Sequence, residues 1–286
     1  MSKRTSPLFG PGGNAEAFYE AGYKSTLYAP MWVASEGLTA YEFEAGRGIG
    51  ASGDALTAIG AAARQAGISM SFHAPYFISL SGVNTETRLK SIDYIENSLW
   101  AADLLGAGVI VVHSGSCAKI TREEGMRLSS DTLYKTLERV GYPQVKIGIE
   151  TMGKKNQLGT LEEVISLCEM DSRLVPVVDF GHLNARDLGG VFRTSDDFRR
   201  VFDAIGSRLG QEVAANLHCH FSKIEWTDAG EKKHLTFDDR LYGPDFEPLM
   251  DAIYREGLTP TLICESAGTQ ARDAKQMMEY YEGLKK

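Results

Sequence analysis

Cysteine is scarce in this chain of 286 residues: Cys117, Cys168, Cys219 and Cys264 stand far apart, with no C-x-x-C pair among them. That spacing excludes a cysteine zinc ribbon and argues against a disulfide framework, so the four read as reduced packing residues. Long apolar runs are missing too. The opening Met-Ser-Lys-Arg-Thr-Ser-Pro lacks the apolar core of a signal peptide, and no later stretch is long enough to cross a bilayer. The expectation is a soluble, cytoplasmic protein with no membrane partner. No G-x-G-x-x-G turn follows an early strand, and the glycines of FGPGGN (Phe9 to Asn14) do not fit that fingerprint, which disfavours an open Rossmann sheet. An excess of positive charge is also absent. With a formal net charge of -8, no global field draws a polyanion, and nucleic acid could be held only by a local basic groove or by bound cations.

What the chain does have is a recurrence of short, nearly continuous apolar runs rich in β-branched residues. They are PLFG near 7, AYEFEA near 40, MSFHAP near 70, VIVVHSG near 109, KIGIET near 146, LVPVVDF near 174, ANLHCHFS near 215 and TLICES near 261. Such runs mark strands buried on both faces. Between them lie segments of helical periodicity. Thr87 to Leu105 carries Leu89, Ile92, Ile95, Leu99 and Ala102 on one face, and Leu161 to Cys168 follows a Thr160 N-cap. Alternating β and α elements predict a parallel sheet, and eight alternations in this length predict a closed barrel. The expected architecture is α/β, a single (β/α)8 TIM-barrel domain over 1–286. The polar stretch from Ser222 to Arg240 reads as one long loop after the seventh strand.

The scarce chemical residues fall in a pattern. His73, His113, Glu150, Asp179, His218 and Glu265 each sit near the C-terminal end of a different predicted strand, about one βα unit apart. That end of a barrel is its catalytic face, so side chains distant in sequence are expected to converge on one rim. Imidazole and carboxylate donors without thiolate suit zinc or manganese, and a carboxylate can bridge two ions. A carboxylate ending an apolar run, as in IGIE150 or PVVD179, is costly to bury unless a partner or a metal compensates it. His182 follows Asp179 in D-F-G-H and can address the same site. His218 and His220 lie two apart on one strand and face the same side, so period-two geometry leaves the choice between them open, with Cys219 and Cys264 turned into packing. His234, in E-K-K-H, stands within the long loop.

At SFHAPYFISL, VVHSGS, IGIETMGKKNQLGT, PVVDFGHLNARDLG, LHCHFSK and LICESAG the sequence resembles the endonuclease IV family, from roughly Tyr41 to Glu279. These are the zinc-dependent apurinic/apyrimidinic endonucleases within the xylose-isomerase-like barrels. The resemblance implies two or three zinc ions, with manganese as the alternative metal. His73 and His113 would hold one ion, Glu150 would bridge it to a second completed by Asp179, His218 and Glu265, and His182 and His234 would serve a third. In the family the loop histidine belongs to an Asp-x-His pair, whereas here Lys232 stands at the aspartate position with Glu231 beside it. Tyr76 matches an aromatic inserted beside the abasic nucleotide, and Arg47 loosely matches an arginine used for the same purpose. The implied activity is hydrolysis of the phosphodiester at abasic sites in DNA by a monomer, with Glu150 and Glu265 as catalytic residues. The rival expectation is a sugar or sugar-phosphate isomerase or epimerase, in which Glu150 and Glu265 flank a single ion.

Overall fold

In the computed structural model, which describes residues 4–286, the eight predicted strands form one parallel sheet. They are β1 (Leu8–Pro11), β2 (Ala40–Glu44), β3 (Ser69–His73), β4 (Val109–His113), β5 (Lys146–Glu150), β6 (Leu174–Asp179), β7 (His218–Phe221) and β10 (Thr261–Cys264), with β8 (Lys223–Thr227) and β9 (Gly230–Leu235) standing apart from that sheet. Each barrel strand pairs with its neighbour in order, and β10 lies between β7 and β1. The remaining seam, between β1 and β2, is closed by hydrogen bonds from Thr39 N to Phe9 O and from Gly13 N to Glu42 O, each at 2.9 Å. Gly10 makes this closure feasible, because a Cβ there would fall 1.8 Å from the Ala40 carbonyl oxygen. The architecture is therefore the TIM barrel expected from the alternation of runs.

Helices fill the outer layer, and their ends follow local chemistry. Gly53–Ala66 begins at Ser52, whose hydroxyl accepts from Ala55 N, and stops at Gly67 in the left-handed region (φ 71°). The predicted Thr87–Leu105 helix begins earlier, at Thr85, because Asn84 caps it through Glu86 N. Ile92, Ile95, Leu99 and Ala102 are buried as expected, but Leu89 is half exposed. Leu161–Cys168 carries a full capping box between Thr160 and Glu163.

The polar stretch after β7 is not a loop. Strands β8 and β9 pair there as an antiparallel hairpin. Its polarity, which argued for a loop, reflects its position on the barrel rim, where neither face is wholly buried. Among the described residues, no helix is long and apolar enough to span a membrane.

Candidate metal centre

Glu150 ends β5 with its side chain in the barrel mouth, 1 % exposed. Its Oε2 lies 3.4 Å from His113 Nε2 and 3.7 Å from His73 Nε2, while its Oε1 lies 3.2 Å from His220 Nδ1 and 3.4 Å from His182 Nδ1. One carboxylate thus faces histidines on both sides. Oε2 has no hydrogen-bond partner, and neither has Asp179 Oδ2, although both residues are buried. Two orphaned, buried carboxylate oxygens are expensive in a protein interior and are the mark of donors arranged for a cation.

Among the described residues, five groups of donors have their atoms within 4.8 Å of one another. Three line the mouth: His73, His113 and Glu150; Glu150, Asp179, His220 and Glu265; and His182, Glu231 and His234. The other two, Glu42 with His218 and His220, and Glu42 with Glu44 and Glu265, lie beside and beneath them. All the donors are nitrogen or carboxylate oxygen, a set suited to zinc or manganese. The ring nitrogens are already oriented. His73 Nδ1 and His182 Nδ1 lie 2.9 Å from the Ala74 and Thr151 carbonyls, which fixes the proton there and leaves each Nε2 free as a donor atom. Asp179 caps the helix Phe180–Arg186 by accepting from His182 N at 2.7 Å, so the D-F-G-H turn locks both residues.

Electrostatics reflect the crowding of these groups. Burial would raise the Glu150 carboxyl, but the surrounding imidazoles of His182, His220 and His73 hold it well below the usual range. Burial pushes Glu265 up to about 8, with Glu150 and Asp179 adding to the rise against His220. Burial lowers His113 to about 4. These neighbours compete for too few protons, a competition that divalent cations would relieve.

The structure answers the choice that period two left open. On β7 it is His220 that joins Glu150, Asp179 and Glu265. His218 sits one layer deeper, with Nε2 2.8 Å from Glu42 Oε2, so the expectation that placed His218 in this group gives way to His220. The two residues are one barrel layer apart along the strand, and only the upper one reaches the mouth. His234 comes to His182 as expected, their rings 5.3 Å apart, and its Nδ1 lies 2.8 Å from Ser222 Oγ.

The hairpin also accounts for the Lys232 departure. A bulge interrupts its register: Glu225 pairs with Lys233 and Trp226 with Glu231, leaving Lys232 extra. An extra residue shifts the alternation of faces. Glu231 and His234 therefore point the same way, and Glu231 Oε2 lies 3.5 Å from His182 Nε2, while Lys232 turns away to pair with Glu225. Glu231, Glu42 and Glu44 were not among the expected site residues. The signal for the last two was AYEFEA, two carboxylates at period two in an apolar run.

Tyr76 lies at the pocket mouth, over half exposed, with its ring against Gly46, where a Cβ would fall 2.6 Å from Tyr76 Cε1. Arg47, next in sequence to Gly46, is exposed and is not among the residues that line the mouth. Lys154 lines the same mouth.

An eight-stranded barrel with histidines and carboxylates gathered at the strand C-termini defines a class: TIM barrels built around a candidate multinuclear metal site. More narrowly, residues 31–284 match the xylose isomerase-like TIM barrel family, the AP endonuclease 2 family, and the chain belongs to it. Similar proteins include an uncharacterized protein of Methanocaldococcus jannaschii, 27% identical over 76% of this chain and 78% of its own length. A probable endonuclease 4 of Acholeplasma laidlawii is 28% identical over 64% of this chain, which spans only 62% of that relative's length. Among solved structures, endonuclease IV from Thermus thermophilus aligns with a TM-score of 0.68 and 19% identity, covering 97% of this chain and 98% of that one. A D-tagatose 3-epimerase-like protein aligns with a TM-score of 0.71 and 18% identity, covering 97% of each.

Proposed function

We propose that this protein is a metal-dependent endonuclease that hydrolyses the phosphodiester at abasic sites in DNA. The observation that carries the reading is the presence of three donor groups around one mouth, two of which share Glu150. A single-ion isomerase has no use for His73, His113, His182, Glu231 and His234 arranged as two further groups. The curated relatives named probable endonuclease 4 support the same reading.

In this reading, two or three zinc ions, with manganese as the alternative, supply Lewis acidity toward the phosphate and toward water. His73, His113 and Glu150 would hold the first. Glu150, Asp179, His220 and Glu265 would hold the second, and His182, Glu231 and His234 the third. Glu150, which belongs to both of the first two groups, would serve both ions. Glu265, whose carboxyl borders both His220 and His234, orients the attacking water and takes its proton. Tyr76 covers the gap left by the missing base, and Arg47 and Lys154 contact phosphates, replacing the global attraction that net charge does not provide.

The rival, a sugar isomerase or epimerase, has one observation of its own: Glu44 stands at the mouth, where a carboxylate repels phosphate but tolerates a neutral sugar. One experiment separates the two. The zinc-loaded protein should nick an abasic-site duplex, and a chelator should abolish the nicking. An intact duplex after prolonged incubation, together with turnover of a ketose or ketose phosphate, would transfer the assignment to the isomerase.

A further inference from the structure

Beneath the mouth, the barrel interior carries charge where packed aliphatic layers are usual. Glu42, on β2, is completely buried and reaches across the interior to β7. There its Oε2 lies 2.8 Å from His218 Nε2 and its Oε1 lies 2.8 Å from His220 Nε2. Glu42 Oε1 and His220 Nε2 make no hydrogen bond of good geometry, with each other or with anything else, so their close approach is an electrostatic contact between two otherwise unpartnered buried atoms. Apolar residues would fill such a layer at no electrostatic cost, so the network is better explained by what it does to its neighbour.

A neutral imidazole carries one proton on one of two nitrogens, and the partner of one nitrogen decides what the other can do. The carboxylate of Glu42 on the inner side favours a proton on His220 Nε2. With a cation in the site, that would leave the Nδ1 lone pair to face outward, where Nδ1 lies 3.2 Å from Glu150 Oε1 and 3.2 Å from Glu265 Oε1. His73 and His182 are held the opposite way round by backbone carbonyls. His220 is the ligand whose inner partner is a carboxylate, and His218 secures that carboxylate's second oxygen.

We propose that Glu42 is a positioning residue that fixes His220 with its proton toward the barrel interior, presenting Nδ1 to an ion held with Glu150, Asp179 and Glu265. The inference rests on the metal-centre reading above. Histidine–carboxylate pairs of this kind orient a ligand and raise its basicity, and losing the outer partner weakens metal binding by about 10- to 100-fold.

The test uses the full chain, stripped of metal and then reloaded with zinc. Long-range nitrogen–proton NMR of the zinc-loaded wild type should show His220 protonated at Nε2 and not at Nδ1. Zinc titration against a competing chelator should give at least a tenfold weaker affinity for Glu42→Gln, and near wild-type affinity for His218→Gln, which keeps a donor to Glu42. Circular dichroism melting checks that each variant is folded. If the role were only structural, both variants would lower the melting midpoint with zinc affinity unchanged, and that result overturns the proposal. His220 found protonated at Nδ1 in the zinc-loaded wild type overturns it even if Glu42→Gln does not fold. An ion found by anomalous scattering between Glu42 and His218 also overturns it. Failure of the wild type to bind zinc at all would remove the metal-centre reading and this inference with it, whereas intact wild-type binding with an indifferent Glu42→Gln removes this inference alone.

Discussion

The backbone amide of Glu231 donates to the carbonyl of Gly153 at 3.0 Å, so the hairpin that brings Glu231 and His234 to the pocket is seated on the segment that follows Glu150. The seat is tight. A Cβ on Gly230 would fall 2.3 Å from that same carbonyl oxygen, and Gly230 has φ 91°, a conformation that costs other residues strain. Gly230→Ala should lift the hairpin while leaving the barrel folded. The expected result is a loss of one bound metal equivalent, measured by elemental analysis, with a destabilisation of roughly 1–3 kcal/mol in denaturant melts. Full metal content in a folded Gly230→Ala variant would show that the hairpin does not contribute an ion site.

Glu150 faces two donor groups and His234 one, which ranks their substitutions. Glu150→Gln should lower bound metal more than His234→Ala, because the amide keeps the shape but supplies only one neutral oxygen to ions that shared a charged pair. Metal content by mass spectrometry after gel filtration checks the order. Equal losses would indicate that Glu150 does not bridge.

Away from the pocket, Glu163 ties together the segment that follows the metal-binding end of β5. Its Oε1 accepts from Arg122 Nε at 2.8 Å, and its Oε2 accepts from Gly159 N and Thr160 N at 2.9 and 3.0 Å. Burial raises the carboxyl, but the Arg122 bond and the two amides outweigh it and hold the value below the ordinary one. A folded-state value below the unfolded one contributes stability that is present above the unfolded pKa and lost as pH falls through the folded pKa. The stability difference between wild type and Glu163→Gln should therefore be about 1 kcal/mol at neutral pH and shrink toward zero below about pH 4. Urea melts across that range of pH measure it, and a difference that grows on acidification would contradict the assignment.

Strand positions were legible from sequence because parallel strands buried on both faces are nearly continuous apolar runs, and a charged or imidazole group at the end of one stands out. His73, His113, Glu150, Asp179 and Glu265 announced themselves in that way. Depth within the barrel was not legible. His218 and His220 share a face, and only the register of β7 against β6, which sets Asp179 opposite His220, shows which one reaches the mouth. Glu231 was hidden for another reason. A one-residue bulge reverses which side chains share a face, and nothing in E-K-K-H marks where it falls. Glu42 was missed because a carboxylate in the middle of an apolar strand resembles surface alternation until its partners across the barrel are known.

Tyr76 separates substrate contact from metal binding, because its ring stands at the mouth on Gly46 while its side chain belongs to none of the donor groups. If the substrate is abasic DNA, an aromatic ring there replaces stacking that the lost base no longer provides, an effect of roughly 1–3 kcal/mol per base. Tyr76→Ala should then reduce cleavage of an abasic duplex by about one to two orders of magnitude, since each 1.4 kcal/mol or so is a factor of ten. Metal content should stay at the wild-type level. Tyr76→Phe should retain most of the activity, because stacking needs the ring and not the hydroxyl. Arg47→Ala should instead weaken binding more at low salt than at high, because a phosphate contact contributes less once salt screens it. Cleavage unchanged in Tyr76→Ala, with the duplex still nicked, would show that the missing base is met by another group. A loss in Tyr76→Phe as large as in Tyr76→Ala would point to the hydroxyl and to a polar contact rather than a stacked one.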